Sequence, residues 1–228
     1  MTGSGALGQA ALLLLSDGRF PAGGYAHSGG LEPTVAAGRV SNAAELEQFL
    51  VGRAETAGFV AAVFAAAACS MASRGETVAL AGLEAELDAR FPSSELRAVS
   101  RTLGRQLLRA MSTIHPHPYF SVLAAAPHQP MVMGIAAAAF GLDSRAAALA
   151  ILHESVAGPA AAAAKLMPVD PFEVHAALAR ASARLDRLSE AAAAQAEAPV
   201  CDFPSLGSPL MDIAAEHHKR RSTRLFAS

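Results

Sequence analysis

Tryptophan is absent, cysteine occurs only at positions 69 and 201, and aromatic residues make up 5% of the 228-residue chain. With few aromatic and β-branched residues, an all-β fold is not expected. No C-x-x-C pair occurs, which removes a dithiol redox motif and a thiolate zinc site, and two isolated thiols fit a reducing compartment. The formal net charge of −2 argues against non-specific nucleic-acid binding as the main task. The longest clean apolar run, residues 57–69, is too short to span a bilayer. The apolar N-terminal stretch lacks a basic n-region and reads poorly as a signal peptide. No G-x-x-x-x-G-K-[ST] loop occurs, so nothing in the chain is built to cradle nucleotide phosphates. The expectation is a soluble, cytoplasmic protein that binds neither nucleic acid nor membrane.

What the chain does have is alanine and helical periodicity. Hydrophobic residues make up 52% and charged residues 17%, enough for one large core. Alanine favours helix and lets helices approach closely. Residues 1–5 are small and polar and read as disordered; 6–15 and 30–37 read as short helices. Asn42 with Glu45 resembles a capping box opening a long helix to Gly75. In it Leu46, Phe49, Leu50, Ala57, Val60, Val63 and Phe64 share a face, with Glu45, Glu47, Arg53 and Glu55 elsewhere on the wheel. Further helices are expected over 77–90, 95–111 and 144–166, the last capped by Asp143, with an apolar stretch at 130–140 set off from it by Gly141. Asp170-Pro171-Phe172-Glu173 starts another that runs to about Ala196. Residues 197–209 are rich in Pro, Gly and Ser and read as a loop or flexible arm. A short amphipathic helix carrying Leu210, Ile213 and Ala214 follows. The reading is all-α: a single bundle-like domain over 1–228, of about eight to ten helices.

Three features carry weak signals. Arg97, Arg101, Arg105 and Arg109 form a basic ridge, read by default as a solvated face and alternatively as a surface for an acidic partner. His115-Pro116-His117-Pro118 reads as a Pro-stiffened interhelix loop in preference to a metal site. His153-Glu154 begins like H-E-x-x-H, but residue 157 is Ala, so the zinc motif fails and His153 is read as a hydrogen-bonded helix residue.

Residues 15–32, LSDGRFPAGGYAHSGGLE, stand out. Five glycines and a proline surround Asp17, Tyr25, His27, Ser28 and Glu32, which suggests a shaped surface. A nucleophile elbow at Ser28 falls one residue short of G-x-S-x-G and lacks the preceding strand. A tight loop joining two helices is the plain alternative, with His27 and Glu32 capping it.

SDGRFPAGGYAHSGGLE resembles the N-terminal signature of the urease accessory protein UreF family, departing from it at Gly18, where the family usually has Ser. Residues 100–109 (SRTLGRQLLR), 128–134 (HQPMVMG) and 164–168 (AKLMP) resemble three further family stretches in the same order. So do Asp212-Ile213, His217 and Arg224-Leu225-Phe226-Ala227-Ser228 at the C-terminus. Val169-Asp170-Pro171 and His218 depart from the family pattern.

The resemblance implies an all-α, non-enzymatic protein with no cofactor of its own, nickel being handled transiently by a larger complex. It implies a homodimer that binds a UreD/UreH-type scaffold, recruits a UreG-type GTPase and reaches the urease apoprotein through them. Tyr25, His27, Glu32, Lys165, Asp212, His217, Arg224, Leu225 and Phe226 are the partner-binding candidates, with no catalytic or metal-ligating residue. Within 197–228, the tail from Leu210 is expected to order against the scaffold. The alternatives are a small serine hydrolase using Ser28 and His27, and a helical interaction module unrelated to urease.

Overall fold

A computed structural model describes residues 8–23, 27–76 and 78–218. Tyr25, Arg224, Leu225 and Phe226 lie outside the described residues, as do positions 1–5. Among the described residues there are nine α-helices and no β-strand. They are α1 (Gln9–Leu15), α2 (Leu31–Ala36), α3 (Ala43–Ser73), α4 (Ala79–Ala89), α5 (Ser94–Ile114), α6 (Gln129–Ala139), α7 (Ser144–Leu166), α8 (Pro171–Gln195) and α9 (Pro209–His218). Single 3₁₀ turns occur at Pro118–Val122 and Val200–Asp202.

Local chemistry sets the helix starts. Asn42 Oδ1 accepts from the Glu45 N–H at 3.0 Å. Glu45 returns its carboxylate one residue earlier than in the expected box, to the Ser41 N–H at 2.7 Å. Ser93, Asp143 and Asp170 cap α5, α7 and α8. His117, in the Pro-stiffened loop, caps the 3₁₀ turn through the Tyr119 N–H.

The second half of α3 is the centre of the molecule. Ala62, Val63, Phe64, Ala65, Ala66 and Ala68 have no exposed surface, and α6, α7 and α8 pack around them. Small side chains permit that density, which is why so alanine-rich a chain builds a close-packed core. Helices α3 and α7 are long and apolar enough to cross a membrane. In each, however, 61% of the most apolar window is buried inside the bundle, the position of a core helix.

Three features depart from the sequence reading. Helix α3 carries a π-helical turn at Ala54–Gly58, where one extra residue is accommodated in the ladder. The basic ridge on α5 is only partly a solvated face. Arg101 turns inward to Glu84, Asp88 and the Ala126 carbonyl, and Arg97 donates to the carbonyls of Phe91 and Pro92, whereas Arg105 and Arg109 are exposed. On α9 the outward face carries Leu210 and Ile213, 61% and 55% exposed, while Ala215 turns inward.

Residues 197–208 form no α-helix, as their composition predicts, yet they are anchored. Phe203 is buried and meets the Phe64 ring edge-on at 5.2 Å, and Arg90 donates to the Val200 carbonyl at 3.1 Å. Beyond them, α9 is clasped at its far end. Glu216 Oε1 accepts from the hydroxyls of Ser93 (2.7 Å) and Ser94 (3.1 Å) and from the Glu95 N–H (3.2 Å), placing a carboxylate on the N-terminus of α5.

These bonds hold the Glu216 carboxyl below its ordinary value of 4.5, the Ser93 hydroxyl foremost. A lowered carboxyl stabilises above its unfolded value and loses that contribution as pH falls through the folded one. Amide protection across 209–218, taken relative to the intrinsic exchange rate at each pH, is therefore expected to fall on acidification below about 4.5 and to be lower at neutral pH in Glu216→Gln. Unchanged exchange in Glu216→Gln would remove the clasp.

Candidate functional site: a cavity beneath the glycine segment

In the segment joining α1 to α2, the described residues 16–23 and 27–30 form a roof. Asp17 fixes its first turn by accepting from the Arg19 N–H and guanidinium, each at 2.9 Å, and Phe20 plugs into the core. Gly29 and Gly30 both take left-handed backbone, φ 58° and 88°, and Gly30 is the N-cap of α2. A Cβ at Gly29 would stand 2.8 Å from the Pro159 ring and 3.3 Å from the Arg53 guanidinium, so only glycine fits.

Beneath that roof lies a cavity of about 260 Å³. Its walls are the π-turn of α3, the middle of α7, the start of α6 and the apolar stripe of α5 (Leu96, Val99, Leu103, Leu107). The lining is mostly apolar, with the polar groups Arg53, Gln129, His153 and Glu154 among it.

One sequence feature organises the polar part. Pro159 sits inside α7 and has no N–H, so the Ser155 carbonyl loses its i+4 donor. Arg53 supplies the replacement, its Nε donating to Ser155 O at 3.0 Å. The π-turn begins at the next residue. Burial pulls Arg53 down to about 10, partly offset by Glu154, so it stays charged at neutral pH. Glu154 Oε1 accepts from Gln129 Nε2 at 2.6 Å, and burial pushes its carboxyl above the usual range against the opposing pull of Gln129 and Arg53.

A second polar cluster braces the wall. His128 is fully buried, with Nε2 2.9 Å from Asp88 and Nδ1 3.0 Å from the Ser100 hydroxyl; its N–H donates to Glu84 at 2.8 Å. Burial lowers the imidazole pKa despite the Asp88 bond. The neutral ring then donates from Nε2 to Asp88 and accepts from Ser100 at Nδ1. Ser100, His128 and Asp88 are the members of a hydrolase triad, but the buried imidazole is out of reach of any substrate. They lock α4, α5 and the start of α6 together.

The sequence candidates separate into groups. His27 is half-buried and lines the cavity; Glu32 is 9% exposed in the first turn of α2. Lys165 is exposed in the last turn of α7. On α9, Asp212 is half-buried, facing Arg90, Phe91 and Leu96, and His217 is exposed. The structure brings the two ends of the described chain together. Met211 packs on Gly30, and the Ser208 and Thr56 hydroxyls are bonded at 2.6 Å. Ser28, the nucleophile of the hydrolase reading, is fully buried, and its Oγ accepts from the Glu32 N–H at 3.3 Å. It caps α2, which ends that reading.

Arg53, Gln129, Glu154 and Pro159 are missing from the sequence candidates. Arg53 reads as a surface residue on the wheel of α3. The available signal is Pro159 within an otherwise clean helix, which leaves a carbonyl four residues back in need of a donor. Among the described residues, no three His, Cys, Asp or Glu side chains converge to hold a metal ion.

Comparison with known proteins gives a consistent answer. Residues 40–182 match the UreF family. The chain is 40% identical over 221 residues to a urease accessory protein UreF of Mycolicibacterium vanbaalenii, covering 96% of this chain and 98% of that one. It is 39% identical over 217 residues to that of a Mycobacterium species, strain JLS (95% and 97% covered). To that of Mycobacterium tuberculosis it is 37% identical over 219 residues (96% and 98% covered).

Proposed function

Because the chain belongs to the UreF family of non-catalytic urease accessory proteins, we propose that it bridges a UreD/UreH-type scaffold and a UreG-type GTPase during urease maturation. In this reading it couples GTP use by its partner to nickel delivery, acts in the cytoplasm as a homodimer, and reaches the urease apoprotein only through the complex. The whole chain, 1–228, works as one domain, with 197–228 as its partner-binding tail.

The observation that carries the reading is α9. A helix clasped to the body at both ends holds Leu210 and Ile213 outward, more than half exposed, where a partner can cover them. Asp212, His217, Arg224, Leu225 and Phe226 belong to that surface in this proposal, and Arg224 offers a bidentate donor to carboxylate or carbonyl groups. Tyr25, His27 and Glu32 act from the neighbouring glycine segment, and Lys165 meets the GTPase. The chain has no phosphate loop, so GTP chemistry stays with the partner.

Co-purification with the scaffold and the GTPase tests this. The full chain is expected to hold both, while removal of residues 210–228 abolishes scaffold binding and Arg224→Ala weakens it by about tenfold, the worth of one charge-assisted hydrogen bond. Retention of both partners by the truncated chain would contradict the assignment of the tail.

A further inference from the structure

We propose that the cavity beneath the glycine segment is a binding site for a small organic carboxylate, its anionic group held by Arg53 and its apolar body lying against the α5 stripe. This stands apart from the bridging role and needs no partner protein.

The guanidinium is the first observation. It carries five N–H donors in a fixed fork. One of them, on Nε, satisfies the carbonyl freed by Pro159. Among the described residues, no other hydrogen bond or ion pair of Arg53 is formed, and Glu154 acts on it only through its charge. Four N–H groups on Nη1 and Nη2 therefore make no bond to the described residues, on a side chain that lines the cavity and whose fork matches a carboxylate bidentately. Repairing one helix carbonyl does not call for a guanidinium; any single donor does that.

The remaining polar groups favour an anion over a cation. Glu154, whose charge acts on Arg53, has its Oε1 already engaged as acceptor by Gln129 Nε2, and burial pushes its carboxyl above the usual range. Asp17 is paired with Arg19 on the roof. His27 and His153 add no negative charge.

Size sets the rest. A dry cavity of roughly 150 Å³ accepts benzene, so 260 Å³ admits a ligand of about ten non-hydrogen atoms. That excludes a nucleotide or a folded peptide segment and suits an aryl or short alkyl carboxylate. Leu103 and Leu107 supply the apolar wall, with Phe20 opposite on the roof.

The test is titration of the full chain by calorimetry and by ¹H–¹⁵N chemical-shift mapping, with benzoate and its neutral isostere benzamide as probes. Benzoate is expected to saturate, to shift amides of 27–30, 53–58 and 153–159, and to bind at least about tenfold tighter than benzamide, one charge-assisted bond being worth that factor. Arg53→Gln retains a donor for Ser155 and is expected to erase the preference. Ala157→Leu keeps Arg53 and fills the cavity from α7, and is expected to weaken both probes about tenfold, a loss of the scale that one lost buried contact brings. No saturable binding at millimolar concentrations, equal affinity for the two probes, or benzoate binding unchanged in Ala157→Leu would each overturn the proposal. Should Arg53→Gln fail to fold, Ala157→Leu and the benzamide comparison decide it. Partner binding plays no part in the readout, so failure here leaves the bridging role untouched.

Discussion

Phe64→Ala is expected to cost about 3–5 kcal/mol, a large share of the roughly 5–15 kcal/mol that holds a domain together. Phe64 has no exposed surface and lies on the most buried stretch of α3. Its ring receives the edge of Phe203, with centroids 5.2 Å apart, and the Arg90 guanidinium sits 5.5 Å from its centre. Truncation opens a cavity the surrounding helices cannot close, and it also frees the strap over 197–208 that leads to α9. For a chain of this length the melting temperature falls by between about 6 and 20 °C. Phe203→Ala is expected to cost less. Because the two rings share one contact, the double variant falls short of the sum of the singles. Additive losses in thermal or urea melts would show that Phe64 does not hold the strap.

Gly104→Ala is the second large effect, and its sign is the informative part. On propensity alone, alanine in mid-helix is better than glycine by about 1 kcal/mol. A Cβ at residue 104 would, however, stand 2.0 Å from the Pro127 carbonyl oxygen and 2.9 Å from the His128 carbonyl carbon. Both are backbone, with no flexible side chain to move aside. Residues 127–129 must shift, which pulls His128 from Ser100 and its N–H from Glu84. The expected result is a net loss of about 3 kcal/mol in urea unfolding, the upper end of what overpacking costs. A gain in stability would mean that α5 and the 127–129 segment do not approach as closely as described.

Gly104 also shows what the sequence can and cannot reveal. Residues 100–109 and 128–134 are two of the stretches that carry the family resemblance, and the structure packs one on the other through Ser100, Gly104 and His128. Their shared order along the chain is visible in the sequence; their contact is not, because nothing local encodes a hydrogen bond 28 residues apart. Helix starts are legible where a side chain acts on its own turn, as at Asn42, Asp143 and Asp170. Interruptions and inward charges are not. Helical periodicity places Arg53 on the polar face of α3, and only the partner helix, with its proline at 159, turns that arginine into a half-buried donor. Leu210 and Ile213 mark α9 as amphipathic, but the periodicity does not say which face the body takes, and here it takes Met211 and Ala215.

The central claim is that this chain bridges scaffold and GTPase through the surface that includes α9. Its most direct test is the nickel content of urease purified from cells that make the enzyme and all its accessory proteins, with this chain supplied intact, lacking residues 210–228, or withheld. Nickel-loaded urease is expected with the intact chain alone, and nickel-poor enzyme in the other two cases. Full nickel occupancy with the chain lacking 210–228, at normal cellular levels of that variant, would contradict the account.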